Sequence, residues 1–329
     1  MEVRVSVLLP TYNRAPLLRG VLERLLSQPM RDIEIIVMDD GSQDDTRAVA
    51  ASLQDERVRY YYRDHAGMTA NVNEALSLST GPYVIVLHDH DITEPDILME
   101  YADVLDRNPT AAFAFCGYIY VDCEAKAETQ RLVHDWPELL RGREFLRNVL
   151  LPKISSPVLI FSMIKRKFIQ ERFLDSAVGP CADVELWHRL ASVADVAYVQ
   201  RPLLKVRERD SSSMFYGAGA TVEMSETLLN AKKQYLRFLP GWRQRQLMRL
   251  RWRFQVDGTG IYILWKAFET DDRKAMNAML SWVRREGSMA GYLLLLGLSR
   301  LSGRCGASLL RLVRRVYRAI WPKSSVKPA

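Results

Sequence analysis

Cysteine is scarce: four residues, at 116, 123, 181 and 305, show neither the CxxC spacing of a zinc site nor the density of a disulfide scaffold. Long apolar runs are missing too. The longest, Met289 to Leu298, is about half of the roughly 20 residues that a bilayer-spanning helix needs. No basic, apolar leader opens the chain, because Met1-Glu-Val-Arg-Val-Ser-Val-Leu-Leu-Pro10 reads as a strand rather than a signal peptide. These absences predict a cytoplasmic chain, one able to sit peripherally on the cytosolic face of a membrane. Acidic residues are absent from 227–256 and from 300–329, and each segment carries eight Lys or Arg. Residues 1–226 carry 25 basic and 34 acidic side chains, so the net charge of +7 hides an acidic body and a basic C-terminal third.

What is present is ordinary globular material. Apolar residues at 48% and charged residues at 26% exclude a disordered or collagen-like chain, and 329 residues fit one or two domains. The first hundred residues alternate strand and helix. Strands are predicted at Val3–Leu9, Ile33–Met38, Val58–Tyr62 and Tyr83–Leu87, with helices at Pro16–Ser27, Asp44–Leu53 and Met68–Ser79 between them. Ser42 or Asp44 is the candidate N-cap of the second helix. Such alternation means βαβ units and a mainly parallel sheet, with ligands bound beyond the carboxyl ends of the strands. Further elements are expected at Ala111–Val121, Val158–Ile164, Val196–Val199 and Leu203–Val206 (strands) and at Asp183–Ser192 (helix). From about Ala218 the pattern is helical only, broken at Pro240-Gly241, Gly258–Gly260, Gly287 and Gly303–Gly306.

Polar clusters fall at the expected strand ends: Thr11–Arg14, Asp39–Ser42 and His88–Asp91. The paired carboxylates of Asp39-Asp40-Gly41-Ser42 suit acceptance from a uracil or thymine imide N–H or from ribose hydroxyls, and they equally suit a helix-capping turn. His88-Asp89-His90-Asp91 holds carboxylates two residues apart in a turn. That arrangement suits Mg²⁺ or Mn²⁺, which take one or two carboxylates plus substrate phosphates; a solvated polar turn is the plainer reading. Asp183 fits either a helix N-terminal carboxylate complementing the dipole or a cleft-facing base, with Glu185 as the rival base. Cys181 reads as a small packed residue before a reactive thiol.

Taken in order, these motifs resemble the family 2 glycosyltransferases of the GT-A fold. The matching residues are Val5–Arg14 (VSVLLPTYNR), Ile35–Thr46 (IIVMDDGSQDDT), Gly67–Asn73 (GMTANVN) and Gly81–Asp91 followed by Pro95. Ala182–Leu190 (ADVELWHRL) and Arg201–Arg209 (RPLLKVRER) extend the likeness across about residues 3–213. The resemblance implies an α/β GT-A domain over 1–215, with a Rossmann-like, mainly parallel sheet flanked by helices. It implies an inverting, metal-dependent sugar transferase using a UDP- or dTDP-sugar and a divalent cation, Mn²⁺ or Mg²⁺. Pro10, Tyr12, Asn13 and Arg14 would line the nucleotide site, Tyr12 packing on the base and Asp40 accepting from its imide. Gly67 and Asn73 would lie near the diphosphate or sugar. Asp89 would hold the ribose, and Asp89, His90 and Asp91 the metal. Asp183 would deprotonate the acceptor hydroxyl.

The family usually carries Asp-x-Asp-Asp before that Pro, and here the first and third Asp fall on His88 and His90. Either Asp89 and Asp91 form a shifted pair, or His90 itself ligates. Arg209 stands where the family often has a metal-binding His; a guanidinium cannot ligate a metal but pairs with phosphate oxygens. The two His substitutions motivate a second reading, a degenerate domain acting as a binding or scaffold subunit. A nucleotidyltransferase would need a Gly-rich basic loop at 10–16, where there is no Gly and one Arg.

In 216–329, Leu309, Leu312, Val313, Val316 and Ile320 form an apolar stripe among Arg311, Arg314, Arg315 and Arg318. Lys232–Arg253 repeats the composition around Trp242 and Trp252. Both read as helices lying on an anionic bilayer, or as bundle helices packed on the acidic body. A glycan or lipid-linked saccharide is then the expected acceptor. No nucleic acid is expected, since a basic patch alone is weak evidence for it.

Overall fold

The computed structural model describes residues 2–89, 92–122, 127–150, 162–169, 173–207 and 218–299. Strand β1 (Val5–Thr11) leads into α1 (Ala15–Leu26), β2 (Ile33–Asp39), α2 (Thr46–Ser52), β3 (Val58–Tyr62), α3 (Met68–Ser77) and β4 (Tyr83–Val86). Next come β5 (Ile92–Thr93), α4 (Ile97–Arg107), β6 (Ala111–Asp122), β7 (Ala127–Leu132), β8 (Leu139–Leu140) and α5 (Gly142–Leu150). The sheet is completed by β9 (Met163–Lys165) and, after α6 (Ala182–Val193), by β10 (Asp195–Arg207). Helices α7 (Ala218–Gln234), α8 (Gly241–Glu269), α9 (Arg273–Glu286) and α10 (Met289–Ser299) follow.

The described strands join in the order β3-β2-β1-β4-β9-β6-β10-β5, with β7 on β6 and β8 on β10. β3, β2, β1 and β4 are mutually parallel, as the alternation predicts. Their carboxyl ends therefore emerge side by side, placing Thr11, Asp39 and Leu87 along one edge. β9 interrupts this run, antiparallel to both β4 and β6. Every residue of β2 is buried, because helices cover both faces, and that is why β2 reads mostly as an apolar run with little alternation. The exception, Glu34, accepts from the hydroxyls of Ser6 (2.7 Å) and Thr80 (2.9 Å) and from Arg59 (2.7 Å). Burial alone would push its carboxyl up; these donors and the Thr80 amide outweigh it and hold the carboxyl below its ordinary value.

Two expectations are corrected. The two predicted strands Val196–Val199 and Leu203–Val206 are one strand, β10, whose register on β6 shifts between Val199 and Leu204. Pro202 lies in that interval and lacks the N–H a regular ladder requires, so the strand absorbs it as an irregularity and does not end there. Nor do Gly258 and Gly260 break the helix: α8 runs through them. A Cβ on Gly260 would lie 2.8 Å from both Leu295 and Val283 side chains, so the glycine admits close approach of α9 and α10. The breaks at Pro240-Gly241 and Gly287 are present as α8 begins and α9 ends. The predicted boundary at 215/216, the helix at 307–321 and the glycines at 303–306 lie outside the described residues.

The helical region rests on α6. Tyr235 donates to Glu185 (3.2 Å), the Cys181 thiol donates to the Met224 carbonyl (3.6 Å), and the His188 and Tyr235 rings meet edge to face at 5.2 Å. Cys181 is buried, and burial, with the Asp183 charge adding to it, pushes its thiol up to about 12, which favours the packed thiol over the thiolate. His188 is buried, and burial chiefly, with the Lys232 cation adding to it, lowers its imidazole to about 3. A folded-state value below the unfolded value near 6.5 stabilises the fold above pH 6.5, and this contribution falls away as pH drops toward 3. His188→Leu should therefore flatten the loss of urea resistance between pH 6.5 and 5. An unchanged slope would remove His188 as its source.

Candidate active site at the carboxyl edge of the sheet

Thr11, the last residue of β1, organises the edge. Its carbonyl accepts from the Asp40 amide (3.0 Å), and its hydroxyl donates to the Asp89 carboxylate (2.8 Å). Adjacency of β2, β1 and β4 thus brings the three polar clusters onto one line. Asp89 and Asp40 are both buried, and Pro10 is half-buried.

The two neighbouring aspartates divide their work. Asp39 accepts from the Ser42 amide (2.8 Å) and the Tyr60 hydroxyl (2.7 Å), closing the turn. Asp40 takes the amides of Ala66 and Gly67, one on each oxygen at 2.9 Å, and its Oδ2 lies 2.9 Å from His65 Nδ1. Each carboxylate oxygen has two lone-pair directions, so this holds the 65–67 loop and still leaves acceptor capacity for a ligand. Gly41 (φ +90°) and Gly67 (φ +87°) occupy the left-handed region that the two loops demand.

Above this carboxylate, Tyr12 is 46% exposed, its ring 4.7 Å from the His65 ring and tilted by 36°. The contact leaves the Tyr12 ring accessible at the carboxyl edge of the sheet. Asn13 ties the first loop to the second: its amide donates to Ser42 Oγ and its Oδ1 accepts from the Gln43 amide, both at 2.8 Å. Asp44 receives the Ala15 amide (3.0 Å) and the Thr46 amide (3.1 Å), tying the starts of α1 and α2 together. The expected N-cap at Ser42 or Asp44 is corrected: the cap position of α2 is Asp45, which makes no side-chain capping bond, and the Asp44 carboxylate reaches the first turn from one residue before it. Arg14 is exposed at the N-cap of α1.

The remaining predicted residues lie elsewhere or serve a positioning role. The side-chain amide of Asn73 on α3 is bonded to the backbone of Leu174 on both sides, N–H to carbonyl at 2.8 Å and carbonyl to amide at 2.9 Å. It therefore fastens the segment that leads to α6. Asp183 is half-buried in the first turn of α6, its Oδ1 accepting from the Val184 amide (2.8 Å). Its rival Glu185 is 2% exposed and committed to Arg189 (3.2 Å) and Tyr235. Leu186, Trp187 and Leu190 face the core. His90, Asp91 and Arg209 lie outside the described residues, and among the described residues no three ligating side chains converge. Sequence reasoning singled out neither Thr11 nor His65 as a site residue. Thr11 stood inside the quoted motif, whereas His65 had no signal beyond its place in a turn.

A family model described as glycosyl transferase family 2 matches residues 6–173, just over half of the chain. The chain belongs to that family. An uncharacterized glycosyltransferase of Rickettsia typhi is 26% identical over 215 residues, spanning 64% of this chain and 65%, just under two thirds, of its own length. The GalNAc(5)-diNAcBac-PP-undecaprenol beta-1,3-glucosyltransferase of Campylobacter jejuni is 38% identical over 92 residues, 27% of this chain and 30% of that protein. Among solved structures, S. aureus TarS 1-349 in complex with UDP-GlcNAc superposes with a TM-score of 0.54 at 15% identity, covering 96% of this chain and 92% of that one. At that identity the likeness is one of fold, and the fold is the predicted GT-A arrangement with helices appended.

Proposed function

We propose that this chain transfers a sugar, with inversion, from a UDP- or dTDP-sugar to a hydroxyl of a glycan or lipid-linked saccharide. The observation that carries this reading is the convergence of Tyr12, Asp40 and Asp89 on Thr11 at the carboxyl edge of a parallel sheet. Tyr12 gives the base a face to stack on, and Asp40 gives its imide an acceptor that the 65–67 loop holds still. Pro10, Asn13 and Arg14 shape the loop beneath the nucleotide, and Gly67 lets the backbone approach the diphosphate. Asp183 takes the proton from the acceptor hydroxyl as its oxygen attacks the anomeric carbon and the diphosphate leaves. The name of the Campylobacter relative specifies a PP-undecaprenol saccharide, which supports the lipid-linked acceptor class.

A hard divalent cation fits the chemistry of Asp89, a buried carboxylate that Thr11 holds at the carboxyl edge of the sheet. Asp89, Asp91 and His90 would hold it, and when bound it supplies positive charge against the leaving diphosphate. The second reading, a binding subunit that no longer turns over, draws on His88 and His90 standing at the family's Asp positions. Calorimetry with UDP- and dTDP-sugars separates the two. Transfer chemistry predicts binding at least about tenfold tighter with Mn²⁺ than without. Nucleotide binding indifferent to metal would favour the binding subunit.

A further inference from the structure

Helix α8 has two opposed faces. Met248, Trp252 and Val256 are buried against the bundle at successive turns. On the other side Leu247, Leu250 and Phe254 recur at spacings of three and four residues and are exposed at 68%, 50% and 38%. At about 100° per residue these three fall within an arc of roughly 60°, with Arg251 on one side, Arg253 on the other and Arg243 in line. Trp242, at the helix start, is exposed at 66%. This stripe lies in the segment that has eight cations and no acidic residue. Among the described residues no helix is long and apolar enough to cross a membrane, so such a face can lie on a bilayer but not span it.

We propose that this face of α8 docks on an anionic lipid bilayer, with Leu247, Leu250 and Phe254 at the acyl boundary and the arginines on lipid phosphates. An apolar stripe bordered on both sides by cations matches a surface that is apolar inside and negatively charged at its rim. A soluble protein partner would need the same layered pattern. Helix α8 packs on α7, and α7 on α6, which carries Asp183. Docking therefore connects the bilayer, through α7, to the helix that carries the proposed base. The docking itself does not depend on the transfer reading.

The test is flotation of the full chain with vesicles of phosphatidylcholine alone or with about one-third phosphatidylglycerol. The wild-type chain should float with the anionic vesicles and be released by salt. Leu247→Ser/Leu250→Ser/Phe254→Ser should lower the bound fraction at least about tenfold. Arg251→Gln/Arg253→Gln should weaken binding and blunt its salt dependence. A urea melt unchanged in both variants excludes misfolding, and because it needs no nucleotide it keeps this result separate from the fate of the transfer reading. Three outcomes overturn the proposal. The first is a wild-type chain that ignores anionic vesicles; the second is a triple variant that floats as well as wild type, which moves the contact to residues such as 300–329. The third is a wild-type dimer that the triple variant splits, without vesicle binding, which makes the occupant a second copy.

Discussion

Replacing Asp183 by Asn should lower sugar transfer by about 10³-fold while donor affinity stays within about twofold of wild type. The amide keeps the size of the carboxylate and its hydrogen bond from the Val184 amide, so the first turn of α6 is preserved. What it loses is the ability to take a proton. Glu185, two residues along, is the internal control. It is enclosed by Arg189 and Tyr235, so Glu185→Gln should cost stability, about 3 kcal/mol, through a half-broken buried pair, and should spare turnover in the molecules that remain folded. Single-turnover assays beside urea melts read both effects. Near-normal transfer by Asp183→Asn, or a collapse of chemistry in folded Glu185→Gln, would remove Asp183 as the base.

Asp40→Ala should weaken donor binding by about 100-fold. The carboxylate serves two tasks that fail together: it accepts the amides of Ala66 and Gly67, and it is the proposed partner of the base imide. Removing it leaves two loop amides without their acceptor, at about 1–3 kcal/mol each where they stay shielded from water. The loop at Gly67 then loses the conformation proposed to fit the diphosphate. Asp39→Ala gives the contrasting result, because Asp39 spends its oxygens on Ser42 and Tyr60: lower stability with a smaller change in affinity. Calorimetric dissociation constants for the two variants, each compared with its own melting curve, check this. Equal donor affinity in Asp40→Ala and wild type would contradict the role given to Asp40.

Much of this was legible in the sequence because the physics is local. Val58–Tyr62 coincides with β3, and the other early strands and helices agree to within about two residues, since buried parallel strands and amphipathic helices leave strong periodic signals. The carboxyl-edge clusters were legible for the same reason: polar residues that end an apolar run have nowhere else to go. Contacts across the chain were not legible. Asn73 looks like a ligand-side residue in its motif, yet it clasps Leu174, 101 positions away. Gly258 and Gly260 read as breakers, because composition cannot reveal that α9 and α10 need the space a side chain would fill. Lys232–Arg253 read as one basic segment. It is the end of α7, a turn and the start of α8, with Trp252 buried and Trp242 exposed, so bundle packing and an outward face coexist in it.

The central claim, that this edge of the sheet hands a sugar from a nucleotide to an acceptor, is most directly tested by nucleotide release. A panel of UDP-, dTDP- and GDP-sugars is incubated with the full chain and a lipid-linked saccharide, with and without Mn²⁺. The account predicts release from a uridine or thymidine donor that depends on metal and acceptor and is lost in Asp183→Asn. Release from no donor by a folded chain that still binds nucleotide, or equal release by Asp183→Asn, would contradict it.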